Sequence, residues 1–121
     1  MRLVFLLAGI FVLVAPIRGN ESLKMSVLPT QSLAPAYLRV RVTVEPNEVN
    51  RTVVVAAESA DYYRSSEMPL EGDQGPRTLF FEFRGVPSGT YQVRSVVGDV
   101  KGRQVATTAQ NVFVWAAGAE R

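Results

Sequence analysis

Two residue types with distinctive chemistry are missing from this chain: its 121 residues include no cysteine and no histidine. Histidine is the commonest general base and metal ligand, so the usual centres of acid–base and metal chemistry are excluded. Without cysteine, thiol nucleophiles and ordinary zinc sites are excluded as well. The sequence therefore predicts a protein that is not an enzyme, with no catalytic residue, no metal site and no cofactor.

The missing cysteine also bears on the cellular compartment. Small exported domains of eukaryotes are often held together by disulfides, which this chain cannot form. Lipid attachment at an N-terminal cysteine is excluded for the same reason. These absences favour a bacterial envelope protein whose fold depends on its hydrophobic core alone.

Carboxylates remain as candidate ligand or catalytic groups, but most of them fall in expected turns or on outward strand positions. We interpret them as solvated surface groups. The loop over residues 71–75, E-G-D-Q-G, supplies several of the oxygen ligands that Ca²⁺ prefers. It lacks the regular D-x-D-x-D spacing of a dedicated calcium loop. A purely structural turn is therefore favoured, with a calcium site as the alternative.

A strong net charge is absent too. The chain has 13 basic and 11 acidic residues. Two basic residues, Arg2 and Arg18, lie in the first 19 positions, so the rest of the chain holds eleven of the 13 against all 11 acidic residues. The basic residues are dispersed along the sequence, unlike those of a nucleic-acid binder. We expect no nucleic-acid partner, and membrane contact only through an uncleaved N-terminal segment.

The N-terminal stretch has the composition of a secretory signal. A short basic start is followed by apolar residues 3–14 and then by small residues. The apolar run is short for a membrane-spanning helix, which needs about 20 residues. We predict a signal peptide over residues 1–19 and export to the periplasm or beyond, with an anchor formed by retained residues 3–16 as the alternative. Sequons at Asn20 and Asn50 matter only in a host that glycosylates.

Alternation of apolar and polar residues indicates strands in the rest of the chain, where no helical periodicity appears. The clearest run covers residues 37–45, in which Leu38, Val40, Val42 and Val44 share one face. An antiparallel sheet with one solvated face has this pattern. The predicted strands cover residues 22–28, 37–45, 52–59, 62–68, two runs within 78–98, and 103–115.

Seven short strands separated by turns predict the fold class: all-β, a seven-stranded antiparallel two-sheet sandwich of immunoglobulin-like type. A closed barrel is the alternative, and the uneven loops disfavour it. We place this domain at residues 20–115 and a flexible tail at residues 116–121. We predict a loop at residues 30–36. The alternation of apolar and polar residues is interrupted at residues 109–111, which predicts a β-bulge in the last strand.

The two central strands meet at a Pro/Gly corner, G-V-P-S-G-T-Y-Q-V, over residues 85–93. This corner resembles the turn of fibronectin type III and carboxypeptidase-regulatory-like domains, in which a Pro-x-Gly corner precedes a strand that begins with tyrosine. The resemblance places Pro87 and Gly89 in the corner and implies that the Tyr91 hydroxyl bonds back to the upstream backbone. The chain departs from antibody domains, because it lacks the cysteine pair and its single tryptophan, Trp115, lies near the end. The resemblance implies a fold and no activity.

The strand over residues 52–59 is apolar on both sides, so its outer face is either covered or available to a partner. Edge strands, whose backbone groups are unpaired, are the other natural docking sites. We therefore predict a non-catalytic exported interaction or structural module that binds a protein partner of the cell envelope through a sheet face or an edge strand. The candidate partner-binding residues on the outer face are Val54, Ala56, Arg94 and Val96.

The alternative function is binding of carbohydrate or another small ligand, because sandwich modules often present exposed aromatic side chains to sugars. The candidate residues for this function are Tyr62, Tyr63 and Trp115. Phe80 is also hard to bury, but its strand belongs to a different sheet from that of Val54. We therefore do not expect it in the same patch. No pattern in the sequence specifies an oligomeric state.

Overall fold

The computed structural model describes residues 22–116 as eight β-strands in two sheets. The predicted signal over residues 1–19 and most of the predicted tail lie outside the described residues. No helix within the described part of the chain is long and apolar enough to cross a membrane. In chain order the strands are β1 (Leu23–Leu28), β2 (Gln31–Leu33), β3 (Ala36–Val44), β4 (Thr52–Glu58), β5 (Tyr63–Pro69), β6 (Thr78–Val86), β7 (Gly89–Gly98) and β8 (Gln104–Trp115).

The two sheets differ in size. A three-stranded antiparallel sheet has the order β1-β3-β6. A five-stranded sheet has the order β2-β8-β7-β4-β5, with three antiparallel pairs and one parallel pair, between β2 and β8. The inner faces of both sheets contribute to one hydrophobic core. The fold is therefore an all-β sandwich.

The predictions of seven strands and of wholly antiparallel pairing are wrong. The additional strand, β2, lies within residues 30–36, which the sequence predicts to be a loop, and it pairs in parallel with β8. Three residues are too few to show an alternation, and Pro29 and Pro35 on either side are typical of loops. The chain thus passes from the three-stranded sheet into the five-stranded sheet between β1 and β2.

The alternation predicted for residues 37–45 places the inner side chains of β3 beside those of β6. Val40 pairs with Phe81 and Leu38 with Phe83, and all four are buried. Each such side chain gains roughly 1.5–3 kcal/mol from removal from water. The five-stranded sheet contributes to the same core through Val53, Val55, Ala57, Tyr91, Val93, Val97, Ala106, Val112 and Val114.

Strand β8 contains no bulge at residues 109–111, so that prediction is also wrong. Its pairing with β7 is continuous, and the register shifts only next to Gly98. Two polar residues, Thr108 and Gln110, occupy positions on the inner side of this strand. They interrupt the apolar pattern without adding a residue, which explains why the alternation falters in the sequence.

Tyr91 holds the turn between β6 and β7. Its hydroxyl donates to the carbonyl oxygen of Pro87, four residues upstream, at 2.8 Å, which is the contact that the resemblance implies. Its buried ring meets the ring of Tyr62 edge-on, with centroids 5.8 Å apart. Burial raises the pKa of the Tyr91 hydroxyl, so this group stays protonated and can donate at neutral pH. A Cβ atom at Gly89 would stand 3.3 Å from the Tyr91 ring, so glycine leaves room for it.

Two side chains form hydrogen bonds between the sheets, one at each lateral edge of the sandwich. On one side, Gln110 of β8 forms two hydrogen bonds with the backbone of Val27 in β1. On the other side, Arg64 of β5 donates from Nη1 to the carbonyl oxygen of Arg84 in β6 at 3.1 Å. Because β1 and β6 are the edge strands of the three-stranded sheet, these bonds occupy part of the edges that a docking strand would need.

Candidate interaction surface

The outer face of the five-stranded sheet carries the four residues predicted to bind a protein partner. Strands β4 and β7 are adjacent and antiparallel, with Val54 paired to Val96 and Ala56 paired to Arg94. Paired residues, and residues two apart on one strand, project to the same face. The four side chains therefore form one contiguous patch, hereafter the β4–β7 patch. Its three aliphatic members are half-buried and Arg94 is exposed.

The β4–β7 patch lines a shallow depression of about 230 Å³. The three aliphatic side chains line it together with Glu58, Tyr63 and Gln92, and Arg94 lies beside Ala56 in the middle of this group. Arg94 is positioned by a hydrogen bond from its guanidinium to Gln92 Oε1. Protein–protein interfaces likewise combine apolar side chains with polar and charged ones.

A second group of exposed apolar side chains lies at the far end of the same outer face. Phe113 and Trp115 project outward from β8, and Leu33 of β2 is paired with Trp115. Trp115 is 55% exposed and Leu33 is 59% exposed. Leu33 could not be found from the sequence, because the three residues of β2 give no strand signal. Phe113 follows only from the register of β8 with β7.

The three aromatic residues considered for ligand binding do not form one site. Tyr62 packs against Tyr91 and the core, so its ring does not lie on the outer face. Tyr63 and Trp115 share that face, but β4 and β7 separate their strands. The residue of β8 level with Tyr63 is Asn111, and Trp115 lies four residues further on. Strand and residue spacings place Tyr63 and Trp115 about 20 Å apart, too far for one sugar ring to contact both.

The loop over residues 71–75 packs against the turn that contains Arg51, and the Gly72 N–H donates to the carbonyl oxygen of Asn50 at 3.0 Å. The Arg51 guanidinium donates to the carbonyl oxygens of Glu48 at 2.6 Å and Asn50 at 2.8 Å. Its Nη1 atom lies 3.5 Å from the position of a Cβ atom on Gly72. A fixed positive charge beside these carbonyl oxygens repels a second cation. These Arg51 contacts favour the structural interpretation of the loop.

The asparagine side chain of the sequon at Asn50 is buried in the folded protein. The Asn50 side chain is 2% exposed, and its Nδ2 donates to the carbonyl oxygen of Glu45 at 3.1 Å. A glycan would have to be attached at this same nitrogen, so the folded chain is not a substrate there. The sequon at Asn20 begins outside the described residues.

No family model and no curated protein matches this chain. Solved structures do resemble its fold. Superoxide reductase (neelaredoxin) from Ignicoccus hospitalis is 17% identical, with 77% of this chain and 80% of that chain covered and a TM-score of 0.56. The fibronectin(III)-like modules of Clostridium thermocellum CbhA are 11% identical, with 78% of this chain and 98% of that chain covered and a TM-score of 0.53.

A family 76 glycoside hydrolase from a bovine Bacteroides thetaiotaomicron strain also resembles the chain. It is 11% identical, with 76% of this chain and 20% of that chain covered and a TM-score of 0.54. At these identities the likeness shows the fold alone, and no activity passes from the enzymes to this chain. The chain is therefore an all-β sandwich with fibronectin III-like modules among its structural neighbours.

Proposed function

We propose that the protein is a non-catalytic exported module with an immunoglobulin-like sandwich, which binds a protein partner of the cell envelope through the β4–β7 patch. The observation that carries the proposal is the group of neighbouring apolar side chains Val54, Ala56 and Val96 on an outward sheet surface. A partner that covers it gains about 25 cal/mol for each Å² of apolar area removed from water. Glu58 and Arg94, which line the same depression, offer two opposite charges that set the partner's orientation.

A sheet face is favoured over an edge strand as the docking site. Side chains from the opposite sheet already bond to the edge strands β1 and β6, through Gln110 and Arg64. Edge strand β5 carries the charged residues Arg64 and Glu67 and ends at Pro69. Charged side chains and proline are devices that prevent an edge from pairing with another strand. These devices act against backbone pairing and leave the side chains of the β4–β7 patch available for contact.

The other parts of the proposal rest on separate observations. The absence of histidine and cysteine supports a binding role over a catalytic one. The signal-like order of residues 1–19 supports export. The hydrogen bond from Tyr91 to Pro87 supports the immunoglobulin-like assignment, because a tyrosine corner recurs in that superfold.

The test uses the full-length protein in the cells that produce it, with a photo-crosslinking amino acid in place of Arg94. We expect an adduct with a protein partner, and we expect Val54→Glu to abolish it. The introduced carboxylate would have to be desolvated among the apolar side chains of the interface. Val100→Glu is the matched control, since Val100 is 77% exposed in the turn between β7 and β8. An adduct that survives Val54→Glu would contradict the proposal.

The second candidate function is binding of an extended glycan along the same face. It is favoured by the exposed rings of Tyr63 and Trp115, whose separation of about 20 Å suits several linked sugars. Trp115 is the single tryptophan, so its fluorescence reports contact directly. We expect a spectral shift with oligosaccharides and none with monosaccharides, and a weaker response in Tyr63→Ala. A panel of oligosaccharides that leaves the emission unchanged would exclude this candidate.

A further inference from the structure

The outer face of the three-stranded sheet collects positive charge from three separate parts of the chain. Lys24 of β1, Arg39 and Arg41 of β3, and Arg84 of β6 all project to this side. Glu82 is the one carboxylate among the outward residues of these three strands. The basic residues are dispersed in the sequence, but the register of the sheet gathers them on one face.

Lys24 and Arg41 lie in the part of this face where the side-chain hydrogen-bond donors have no partner among the described residues. Lys24 is paired with Thr43, and Ser26 is paired with Arg41. Two cations and two hydroxyl groups thus stand at the corners of a rectangle with sides of about 5 and 7 Å. They border a depression of about 130 Å³. Within residues 22–116, neither cation has an ion-pair or hydrogen-bond partner, so this group of donors suits an oxyanion.

At the other end of the face, one carboxylate offsets part of the positive charge. Arg84 forms an ion pair with Glu82 at 3.2 Å, and its guanidinium lies 4.6 Å from the centroid of the Tyr37 ring. A hydrogen bond with Tyr37, and then the charge and hydrogen bond of Arg84, lower the pKa of Glu82. Glu82 therefore remains ionised and neutralises Arg84. The unpaired charge is concentrated around Lys24 and Arg41.

Two exposed apolar side chains stand among these cations. Phe80 is 65% exposed and is paired with Arg41. Leu28 is 54% exposed and is paired with Arg39. Neither side chain belongs to the core. Basic residues mixed with protruding aromatic and aliphatic side chains are typical of protein surfaces that lie on anionic membranes.

We propose that the outer face of the three-stranded sheet binds the surface of an anionic phospholipid membrane. Lys24 and Arg41 contact the headgroup phosphates, and the Phe80 ring lies at the level of the headgroups. A basic residue near such a surface contributes about fivefold in affinity. In this orientation the β4–β7 patch, on the opposite sheet, faces away from the membrane. The domain itself then contributes to membrane contact, in addition to any contribution of its N-terminal segment.

The shape of the face favours a membrane over a linear polyanion. Proteins that bind single strands of nucleic acid combine a positively charged groove with a series of stacking aromatic rings. Here Phe80 is the one protruding ring, because Arg84 covers Tyr37, and the depression beside Lys24 is too small to follow a polymer. In the alternative in which residues 3–16 are retained as an anchor, this apolar segment leads into β1, the strand that carries Lys24. A membrane-directed sequence and this face are therefore close together along the chain.

The test measures co-sedimentation of the full-length protein with vesicles of equal parts phosphatidylglycerol and phosphatidylcholine, and with phosphatidylcholine alone. Replacing both cations, Lys24→Gln with Arg41→Gln, should weaken binding to the anionic vesicles about 25-fold. The matched control, Lys101→Gln with Arg103→Gln, removes the same net charge from the exposed turn between β7 and β8 and should bind nearly as the unmodified protein does. All variants keep the N-terminal segment, so a difference between the two pairs belongs to the face.

A second measurement locates Phe80. In a protein with Trp115→Phe, the substitution Phe80→Trp should give emission that shifts to shorter wavelength and is quenched by brominated lipid when anionic vesicles are added. Equal binding of the two charge variants, no preference for anionic over neutral vesicles, or unchanged emission at position 80 would each overturn the proposal. Tighter binding to single-stranded DNA or a sulfated polysaccharide at the same ionic strength would also overturn it and would assign the face to a linear polyanion.

Discussion

The side-chain amide of Gln110 pairs with the backbone of Val27 across the gap between the two sheets. The Val27 N–H donates to Gln110 Oε1 at 3.3 Å, and Gln110 Nε2 donates to the Val27 carbonyl oxygen at 3.2 Å. An amide side chain has the same donor and acceptor groups as a peptide unit. Gln110 therefore substitutes for the neighbouring strand that β1 lacks on its outer edge.

Gln110→Ala should lower the free energy of unfolding by roughly 1–3 kcal/mol, because both partly buried backbone groups of Val27 lose their partner. Urea unfolding followed by circular dichroism measures this loss. Gln104→Ala is the matched control, since Gln104 lies exposed on the same strand. Equal stability of the two variants would show that the pairing with Val27 contributes nothing.

Tyr91→Phe should cost roughly 1–2 kcal/mol, because it removes the hydroxyl that donates to Pro87 and keeps the buried ring. The midpoint of chemical unfolding is again the readout. Tyr63→Phe removes a hydroxyl from a side chain that is exposed on β5, and it should leave the midpoint unchanged. A neutral Tyr91→Phe would remove the structural role of the corner.

Ser95→Ala should leave stability unchanged or raise it. The Ser95 side chain is fully buried, and its Oγ has no hydrogen-bond partner among the described residues. Removing a buried hydroxyl without a partner relieves its desolvation cost. Val97→Ala, two residues along the same inner face, should instead cost roughly 1–3 kcal/mol through lost burial. Thermal unfolding of both variants distinguishes the two effects, and a destabilised Ser95→Ala would indicate a hidden partner for the hydroxyl.

Stability should fall in acid partly through Asp99, in the turn between β7 and β8. Its carboxylate accepts the backbone N–H groups of Arg103 at 2.8 Å and Lys101 at 2.9 Å. These bonds, that of Arg103 first, lower the pKa of Asp99 in the folded state. Because this pKa lies below the unfolded value of about 4, the stabilisation is present above that pH and is lost as the pH falls through the folded-state pKa.

Asp99→Asn keeps an acceptor for the two N–H groups and removes the titrating charge. The variant should show a smaller loss of stability between about pH 5 and pH 2 than the unmodified protein. Unfolding midpoints measured across this range test the expectation. The pKa of Glu82 is lowered as well, so Asp99→Asn with Glu82→Gln should show a still flatter profile. Identical profiles for Asp99→Asn and the unmodified protein would contradict the role of Asp99.

The strands that could be predicted from the sequence are those with an uninterrupted alternation. In β3 every second side chain is apolar and buried, and the predicted range differs from the observed strand by one residue at each end. β2 could not be predicted, because its three residues are stabilised as a strand by pairing with β8. In β8, Gln110 is polar on the inner side because its partner is the backbone of Val27, a contact between distant segments that no local pattern contains.

Of the two candidate binding faces, one could be predicted from the sequence and the other could not. Apolar residues at outward positions, such as Val54 and Ala56, identify the β4–β7 patch once the strands are known. The charged face depends on register, because Lys24 and Arg41 are far apart in the sequence and become neighbours only when β1 pairs with β3. The basic residues are dispersed along the sequence, so their spacing does not indicate the positively charged face that forms when β1 pairs with β3.

The chain crosses from β1 in one sheet to β2 in the other, and this connection determines the order in which strand pairs bear a mechanical force on the N-terminus. Force applied at the N-terminal end acts first on the six residue pairs between β1 and β3. Once these have separated, it acts on the three residue pairs between β2 and β8. Force along the axis of β1 is resisted by all of its pairs together, whereas force perpendicular to it opens them one after another. Tension from a tethered N-terminus would thus reach both layers in succession. Val27, held by Gln110, lies just before the point where the load passes from one layer to the other.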